Sequence, residues 1–521
     1  MPTSRRALSR PVAQTRLENV PPTTGRQAWE GLSAFWLRAM LTAGAISVMV
    51  AALAAYNRLP WSDEGWFSSA AFNLARHGFM GTTVLDPTDM HLTRIDQRTY
   101  WVMPLYLVGQ ALWLKLFAAS FFSIRSFTVV WIPVALFAFY RFLWRVTGRL
   151  AGAALATCLL ALSYILIDNA GFARPDLMCC ALGLCGLATY VEWRETNLNL
   201  AMLVSNVFVA ASGMTHPNGI FYLLGLAAVV VYYDRRRLSI GALTAATAPY
   251  LAFGACWGLY IAEDWRAFAD QIHSNGANGR WTPTLNPIAI LRNEIVERYA
   301  VAFGLATGGW ALLKLPALAL YVAAIAAALL DRGFRRTRGT RLLLLMVALY
   351  FVALSVFNQK LTYYLIHILP WFLALVGLYA KWLWERWHAA RPVIATVLIA
   401  LLALETSGVL LKSFSRSQIV AEEKAAIAFA RAHAQPGDRI VGSAALIYDF
   451  DFDKRLKDDP HLGATSGKTP DIIMTEPVYQ DLYDSWKTVR PEDMREISAR
   501  LTSYRVGFHN SCCRVYLRAG R

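Results

Sequence analysis

The chain has 521 residues, of which 56% are hydrophobic and only 17% are charged. Soluble domains usually carry about 25% charged residues, so this composition excludes an ordinary soluble enzyme, and it equally excludes a disordered or collagen-like chain. The formal net charge is +16, from 51 Lys and Arg residues against 35 Asp and Glu residues. Most of the basic excess stands in short clusters between apolar runs, which is typical of cytoplasmic membrane-protein loops and not of a nucleic-acid-binding surface.

A membrane-spanning helix needs about 20 mostly apolar residues, and this criterion predicts eleven spans. They lie near residues 35–56, 124–144, 149–167, 177–192, 198–214, 217–233, 238–261, 308–330, 341–357, 361–379 and 391–411. Residues 1–34 are basic and contain no convincing signal-peptide cleavage site. We therefore predict that they form a cytoplasmic tail before an uncleaved first helix.

A further apolar segment, residues 101–122, is ambiguous. It contains Pro104, Gln110 and Lys115, and Trp101 and Trp113 suit a membrane interface. If the segment lay flat on the outer surface, the Arg clusters between the other spans would all face the cytoplasm. If it crossed the membrane, the same clusters would face outward. The positive-inside rule therefore favours an interfacial helix within a first outer loop, residues 57–123.

This orientation places four further regions on the outer side: the short loop 168–176, the large loop 262–307, residues 358–360 and the tail 412–521. The tail has a different composition, with predicted secondary structure that mixes a helix and strands. The predicted elements are a helix over Glu422–His433, strands over Arg439–Tyr448 and Asp471–Thr475, and a hairpin over Ser503–Leu517. The tail is thus expected to be a small α/β domain outside the membrane.

Five of the seven cysteines lie inside apolar runs, where they are expected to act as small packing residues. No pair has the spacing of a zinc or redox motif, and the adjacent Cys512 and Cys513 suggest no role. The sequence also contains no Gly-rich phosphate-binding loop, so nothing in it supports the use of ATP.

Asp63 and Glu64 directly follow the first span, after Ser62. Acidic residues often begin helices, and Ser62 could cap the helix that follows them. A partly dehydrated carboxylate at the mouth of a helix bundle can also accept a proton in catalysis. Asp176, two residues after Arg174, allows the same two interpretations: a local ion pair at a helix start, or a second carboxylate near Asp63.

Lys360 precedes Tyr363 and Tyr364 at a predicted membrane boundary. It could be a lysine that extends its charge to the interface, or a cation that holds a lipid phosphate with the tyrosine hydroxyls. His216 and His273 lie near outer boundaries, and no two histidines have a metal spacing on one helix. Residues 276–280, which end at Arg280, could be a lid or a plain loop.

The order of these motifs along the chain is more specific than any one of them. The Asp63-Glu64 pair is followed by Pro104-Leu105-Tyr106, Ala173-Arg174-Pro175-Asp176, Thr215-His216-Pro217-Asn218-Gly219 and Gln359-Lys360-Leu361-Thr362-Tyr363-Tyr364. This order resembles the GT-C glycosyltransferases that use polyprenyl-phosphate sugars. It is most similar to glycosyltransferase family 39 and its relatives, which include protein O-mannosyltransferases, lipid A aminoarabinose transferases and lipopolysaccharide galacturonosyltransferases. The similarity covers about residues 35–411.

The resemblance implies a GT-C-like bundle of about eleven transmembrane helices in a bacterial inner membrane. It implies inverting transfer of a hexosyl or pentosyl group from a polyprenyl-phosphate donor to a hydroxyl of an envelope lipid, glycan or protein. Asp63 would be the catalytic carboxylate, Glu64 its motif partner and Asp176 a second functional aspartate. The donor phosphate would meet Lys360, Tyr363, Tyr364 and Arg280, while His216 and His273 would lie on substrate loops.

One departure from the family bears on a metal cofactor. In the aminoarabinose branch a Glu-Lys-Pro triplet opens the interfacial segment and supplies a metal ligand and a phosphate-binding lysine. Here the corresponding residues are Val102-Met103-Pro104, so both side chains are missing. This argues against dependence on a divalent metal, which stays undecided, and against a close aminoarabinose transferase.

Two other functions are consistent with a polytopic membrane protein. A transporter or flippase for a lipid-linked saccharide would place charges in the middle of its spans and would often show inverted repeats. In this sequence the middles of the spans are largely apolar and no such repeat is seen. A structural membrane subunit, with the tail as a partner-binding module, leaves the order of the motifs unexplained.

Overall fold

The computed structural model describes residues 24–88, 92–276, 286–415 and 417–520. Up to residue 415 it is almost entirely helical. The helices are α1 (Thr24–Asn57), α2 (Ser62–His77), α3 (Pro104–Leu116), α4 (Phe121–Val129), α5 (Trp131–Thr147), α6 (Leu150–Ala161), α7 (Tyr164–Ala170), α8 (Asp176–Trp193), α9 (Leu198–Thr215), α10 (Ile220–Asp234), α11 (Ile240–Ala262), α12 (Trp265–Gly276), α13 (Pro287–Asn293), α14 (Leu315–Leu330), α15 (Arg332–Arg335), α16 (Thr340–Val356), α17 (Leu369–Arg386) and α18 (Arg391–Phe414). Short 3₁₀ helices cover Pro217–Gly219, Gly309–Lys314, Thr362–His367 and His388–Ala390, and a π-helix covers Glu294–Ala300.

Every predicted span falls on helical segments, in some cases on two consecutive ones. Within the described residues, eight helical stretches are long and apolar enough to cross a membrane: Ser33–Asn57, Phe121–Thr147, Asp176–Trp193, Leu198–Thr215, Pro217–Asp234, Ile240–Ala262, Ala311–Leu330 and His388–His433. The last stretch contains α18, which we take as the span, and also the first helix of the tail. The predicted span 149–167 is a pair of helices, α6 and α7, that meet at 53°. The spans predicted at 341–357 and 361–379 correspond to the 17-residue α16 and to α17 with its preceding 3₁₀ helix. The prediction that the chain crosses the membrane eleven times therefore remains a prediction.

The ambiguous segment 101–122 contains α3, which has 13 residues. At 1.5 Å per residue it is about 20 Å long, which is too short for a hydrocarbon core of about 30 Å. It packs on α2, where the rings of Phe67 and Tyr106 meet edge to face with centroids 6.1 Å apart. The structure therefore agrees with an interfacial helix and not with a twelfth span.

Small residues let the central helices of the bundle approach closely. A Cβ atom at Gly183 of α8 would lie 2.0 Å from the ring of Tyr222 on α10. One at Gly377 of α17 would lie 2.7 Å from the backbone of Ala156 on α6. Trp371 of α17 is fully buried in the core, beside the rings of Phe142 and Tyr350.

The tail folds as a five-stranded sheet with helices. After α19 (Ser417–His433) come β1 (Ile440–Val441), β2 (Leu456–Lys457), β3 (Ile472–Thr475), α20 (Pro477–Val489), α21 (Pro491–Thr502), β4 (Tyr504–His509) and β5 (Arg514–Arg518). The strand order is β2-β1-β3-β5-β4; β1 is parallel to β2 and β3, and β5 is antiparallel to β3 and β4. The predicted helix, the strand over 471–475 and the hairpin over 503–517 are all present.

The strand predicted over Arg439–Tyr448 is wrong beyond its first residues. Only Ile440 and Val441 form a strand, and Ala444–Tyr448 is a buried 3₁₀ helix. This turn packs directly on α2, where a Cβ atom at Gly65 would lie 2.0 Å from the Ala444 carbonyl oxygen. A short apolar run that is buried on all sides has no period that separates a strand from a turn.

The tail shares a hydrophobic core with residues 57–123, the predicted first outer loop. Val84, Leu85 and Ile95 of that loop pack with Ile440 and Leu456 of the tail. The Asp458 amide also donates a 2.8 Å hydrogen bond to the Val84 carbonyl. The tail is therefore built against the membrane bundle and is not a loosely tethered module.

A buried ion cluster stabilises the same junction. Asp86 of the outer loop accepts hydrogen bonds from Arg439 at 2.9 Å and from Lys468 at 2.6 Å. Burial alone would raise the pKa of Asp86, but the bonds from Lys468 and Arg439 hold it well below its usual value. Asp86 is thus ionised at neutral pH and ties the loop to the tail.

Candidate functional site

The site is built around the start of α2, where adjacent carboxylates point in different directions. The helix begins at Ser62, so Ser62 is its first residue and not the cap that the sequence suggested. The Trp61 amide donates to Glu64 Oε2 at 3.0 Å, which fixes the turn. Glu64 faces the protein interior, and Asp63 faces a cavity.

Glu64 is fully buried in an ion pair with Arg125 of α4, which is also fully buried. Arg125 Nε and Nη2 donate to the two Glu64 carboxylate oxygens at 2.8 and 2.7 Å. The Ala173 amide donates to Glu64 at 2.6 Å, and Arg125 donates to the Ala55 carbonyl at 2.8 Å. Glu64 therefore joins the end of α1, the start of α2, α4 and the chain before α8.

Arg174 connects the two aspartates that the sequence analysis singled out. Its Nη1 atom pairs with Asp63 Oδ2, and its Nε atom donates to Asp176 Oδ2 at 3.0 Å. The guanidinium carbon lies 3.9 Å from the ring centre of Tyr363. Residues 113 positions apart in sequence, Asp63 and Asp176, thus share one cation. Asp176 therefore forms the local ion pair and lies near Asp63 through Arg174, but it does not line the cavity described next, and its functional role stays a prediction.

These residues surround a cavity of about 710 Å³, which we call the main cavity. Its bundle side includes Asp63, Arg174, His216, Tyr363 and Tyr364. The ring of His216 lies 5.4 Å from that of Tyr364, centroid to centroid. Val102 and Met103, which stand where the aminoarabinose branch has Glu and Lys, also line this cavity.

A second cation, Arg298, lines the main cavity from the π-helix Glu294–Ala300. It is fully buried; Nη2 donates to the Gln359 carbonyl at 3.1 Å, and Nε lies 3.3 Å from Glu294 Oε1. Its Nη1 atom has no hydrogen-bond partner among the described residues. π-Helical turns are frequent at functional sites, and an unsatisfied guanidinium N–H in a cavity is suited to an anionic group.

Lys360 is held behind this wall. Its Nζ atom lies 3.0 Å from Glu294 Oε2 and donates to the Ser355 carbonyl at 2.6 Å, and only 5% of its side chain is exposed. It is not among the residues that line the main cavity. The structure therefore brings Tyr363 and Tyr364 to the cavity directly, and Lys360 only through Glu294.

The remaining predicted residues are placed as follows. His273 is exposed near the end of α12, away from the cavity lining, although Asn275 contributes to that lining. Arg280 lies outside the described residues. Among the described residues, no three His, Cys, Asp or Glu side chains converge to hold a metal ion. The described lining of the main cavity therefore offers no set of metal ligands.

The opposite wall of the main cavity comes from the tail. Asp458 accepts hydrogen bonds from Trp66 Nε1 of α2 and from the Tyr479 hydroxyl, both at 2.8 Å. Burial raises the pKa of Asp458, and these hydrogen bonds only partly oppose that effect. One face of α20 completes this wall, so the cavity lies between the bundle and the tail.

A second cavity, of about 970 Å³, lies on the other side of residues 101–105. Trp101 to Met103 face the main cavity, whereas Pro104 and Leu105 face the second one. The second cavity has an apolar part from α9 and α11, with Phe253 and Trp257, and a basic edge that includes Lys454.

Sequence reasoning missed four residues of this arrangement: Arg125, Glu294, Arg298 and Asp458. Arg125 and Arg298 are charges at the edges of apolar runs, and such charges are expected to have buried partners. That signal was available, but their partners lie 61 and 4 positions away and only the fold identifies the first. Asp458 carries no local signal, because its role depends on how the tail docks.

No protein-family model matches the chain, and no curated protein sequence matches it. Solved structures do. ArnT from Cupriavidus metallidurans in the apo state is similar with a TM-score of 0.61 at 13% sequence identity, over 94% of this chain and 98% of that chain. The same protein bound to undecaprenyl phosphate gives a TM-score of 0.60 at 13% identity and the same coverage. AglB, an oligosaccharyltransferase from Archaeoglobus fulgidus in complex with an inhibitory peptide and a dolichol-phosphate, gives 0.53 at 13% identity, over 90% of this chain and 72% of that chain.

Both neighbours are glycosyltransferases of the GT-C fold. The likeness extends over nearly the whole chain, so this protein has the GT-C fold and is a multi-pass membrane protein. The predicted fold class, including the small tail domain with its sheet, is confirmed. At 13% identity the likeness establishes the fold and leaves the reaction to be argued from the site.

Proposed function

We propose that the protein is a membrane glycosyltransferase that moves a sugar from a polyprenyl-phosphate donor to a hydroxyl of an envelope lipid, glycan or protein. The observation that carries this proposal is the main cavity, in which the Asp63 carboxylate faces the same space as the guanidinium groups of Arg174 and Arg298. A carboxylate can take the proton of an attacking hydroxyl, and the cations can stabilise a leaving phosphate.

The donor class follows from the proposed orientation. Nucleotide sugars are made in the cytoplasm, whereas the main cavity would open on the extracytoplasmic side of a bacterial inner membrane, with the N-terminus inside and the tail outside. A donor that reaches this side must cross with the membrane, which a sugar on a lipid phosphate can do. The undecaprenyl phosphate and the dolichol-phosphate bound by the two structural neighbours support this class.

The proposed reaction is a single displacement. The acceptor oxygen bonds to the anomeric carbon while the bond from that carbon to the phosphate oxygen breaks, and the acceptor proton passes to Asp63. Asp63 Oδ2 is paired with Arg174, and Oδ1 makes no hydrogen bond to the described residues, so Oδ1 is the proton acceptor. The transferred hexosyl or pentosyl group is inverted at its anomeric carbon.

The lipid phosphate gains negative charge as it leaves. Arg298 lines the cavity and its buried Nη1 atom has no hydrogen-bond partner among the described residues, so this guanidinium can bind the phosphate; Tyr363 and Tyr364 line the same cavity. Arg174 is positioned by Asp176 and shields the charge of Asp63 from that of the phosphate. Glu64 is a positioning residue, because it is fully buried and holds the turn that presents Asp63.

The direct test is Asp63→Asn, which keeps the size of the side chain and removes the base. We expect transfer to fall by about 10²–10⁴-fold with the protein still folded and inserted. Transfer is measured by mass spectrometry of envelope glycolipids and glycoproteins from cells that carry either form. Normal transfer by the variant would remove Asp63 from the proposed mechanism. Retained flux of a lipid-linked saccharide in vesicles, with no transfer by the wild type, would instead indicate a flippase.

A further inference from the structure

We propose that the tail supplies the acceptor-binding wall of the main cavity and that this wall binds a carbohydrate part of the acceptor. This inference rests on the proposed function and assigns a substrate class to the same site. The relevant surface is one face of α20, which we call the α20 face: Val478, Asp481, Leu482, Ser485 and Trp486, all of which line the main cavity. Their spacing of three and four residues places them on one side of the helix.

The α20 face carries polar groups without partners. Asp481 and Ser485 make no side-chain hydrogen bond to the described residues, although both line a cavity. The Asp481 carboxylate can accept hydrogen bonds, and the Ser485 hydroxyl can both donate and accept them. They can therefore bind sugar hydroxyls without giving up bonds within the protein.

Trp486 provides a fixed aromatic surface beside these groups. Its ring lies 5.0 Å from the ring of His461, centroid to centroid, and the Arg490 guanidinium carbon lies 5.4 Å from its centre. Both contacts restrict the indole before any ligand binds. An aromatic ring with an adjacent carboxylate and hydroxyl matches a sugar ring, which has an apolar C–H face and a polar edge.

The charge distribution decides which substrate occupies this side. The cations that can bind a phosphate, Arg174 and Arg298, belong to the bundle wall, whereas the described tail wall has no Lys or Arg and presents the exposed carboxylate of Asp481. A phosphate is repelled by carboxylates, and a polyprenyl chain requires the apolar bundle. The donor therefore fits the bundle wall, and a hydroxyl-rich acceptor fits the tail wall.

The distance between the two walls is bridged by α2. Trp66, three residues after Asp63, donates to Asp458 beside the α20 face. An acceptor sugar on the tail wall consequently lies next to the helix that presents the proposed base. This arrangement gives the tail a part in acceptor choice, which the bundle alone would not have.

The experiment uses the full-length protein with Trp486→Ala and Asp481→Asn on the α20 face. The matched controls are Asp484→Asn and Lys487→Gln on the same helix, where the two side chains are exposed, ion-paired at 2.7 Å and absent from the cavity lining. In cells that lack the native gene, we expect transfer to fall about tenfold with either α20-face variant and to stay near wild type with the controls. Binding of undecaprenyl phosphate, the probe for the donor wall, should change by less than about twofold in purified protein.

A third variant, Ser485→Trp, places a large side chain at an exposed position of the α20 face. It provides a test that does not depend on whether Trp486→Ala folds. It should block transfer while leaving the binding of undecaprenyl phosphate intact. Normal transfer by all three α20-face variants, with Asp63→Asn inactive, would overturn the inference and leave the proposed function standing. An equal loss of undecaprenyl phosphate binding in these variants would also overturn it, because the tail would then serve the donor. Normal transfer by Asp63→Asn would instead remove the proposed function.

Discussion

Asp63 and Glu64 are adjacent in sequence, but their surroundings differ sharply. Asp63 shares a cation with Asp176 and keeps 21% of its side chain exposed to a cavity. Glu64 is completely enclosed with Arg125, and its two oxygens accept bonds from that guanidinium and from the backbone amides of Trp61 and Ala173. The group formed by Asp63, Arg174 and Asp176 is thus open to a ligand, whereas the pair of Glu64 and Arg125 is closed.

This difference indicates that the two residues of the motif have different roles: Asp63 acts on the substrate, and Glu64 positions Asp63. A base must exchange protons with a substrate, so it needs an open side, as Asp63 has. Glu64 is fully buried and accepts four hydrogen bonds, so it has no side that a substrate can reach, and it fixes the surrounding backbone geometry. The adjacent carboxylates are therefore expected to respond differently to substitution.

The largest effect on folding is expected from Glu64→Gln. The change leaves the Arg125 charge buried without a counter-charge, which typically costs about 3–5 kcal/mol. We expect a marked loss of folded protein, seen as a lower thermal midpoint and faster proteolysis of the purified chain. Asp63→Asn, the matched change one residue earlier, should leave both measurements near those of the wild type. A stable but inactive Glu64→Gln protein would place Glu64 in the chemistry and remove the distinction between the two clusters.

The next effect, on transfer, is expected from Arg298→Gln. If the free Nη1 atom binds the leaving phosphate, its loss should lower the rate of transfer by about 10²–10³-fold, as for other groups that stabilise developing negative charge. Binding of undecaprenyl phosphate to the purified protein should weaken as well. Unchanged affinity for that lipid would show that Arg298 only supports the fold through Glu294 and the Gln359 carbonyl.

A smaller effect is expected from Lys360→Gln. Lys360 contacts Glu294 and the Ser355 carbonyl, so it influences the cavity only through the position of Arg298. We expect transfer to fall roughly tenfold, the scale of one charged hydrogen bond, with less loss of undecaprenyl phosphate affinity than in Arg298→Gln. A loss of affinity larger than that of Arg298→Gln would support the direct phosphate contact that the sequence resemblance suggested.

The helical fold was predictable because its signals are local. Apolar runs of membrane length mark the spans, and the side on which arginine clusters fall decides that residues 101–122 do not cross. The tail was predicted less well, since the apolar residues Ala444 to Ile447 have no period and form a buried turn against Gly65. α20 and α21 were not predicted either, although α20 forms a wall of the site.

Only those residues of the site that lie in recognisable sequence motifs could be predicted. Asp63, Arg174 and Asp176 lie in short, recognisable segments, and the structure brings them together. The contact between Glu64 and Arg125 depends on how α2 packs on α4, and the position of Asp458 depends on how the tail docks. Contacts of this kind join residues far apart in the chain, so no fixed spacing in a single sequence reveals them.

The smallest predicted effect concerns the tail and its dependence on pH. Burial, followed by the neighbouring carboxyl groups of Glu476 and Asp449, raises the pKa of Glu423 to about 8, and burial raises the pKa of Glu476 to about 7. Because the folded tail binds more protons than the unfolded tail between about pH 4.5 and pH 8, its stability should fall as pH rises through that window. Each group contributes at most about 1.4 kcal/mol per pH unit.

Glu423→Gln removes the group with the higher of these pKa values, so the tail of the full-length variant should lose less resistance to proteolysis between about pH 6 and pH 8 than the wild type. Glu492→Gln, an exposed carboxyl on α21, is the control and should follow the wild-type profile. Asp86 does not obscure the measurement, since a carboxyl whose pKa is lowered alters stability only at more acidic pH. Identical profiles for Glu423→Gln and the wild type would mean that Glu423 is as accessible to water as Glu492. In that case the packing of α19 against β3 and β5 would be looser than the structure shows.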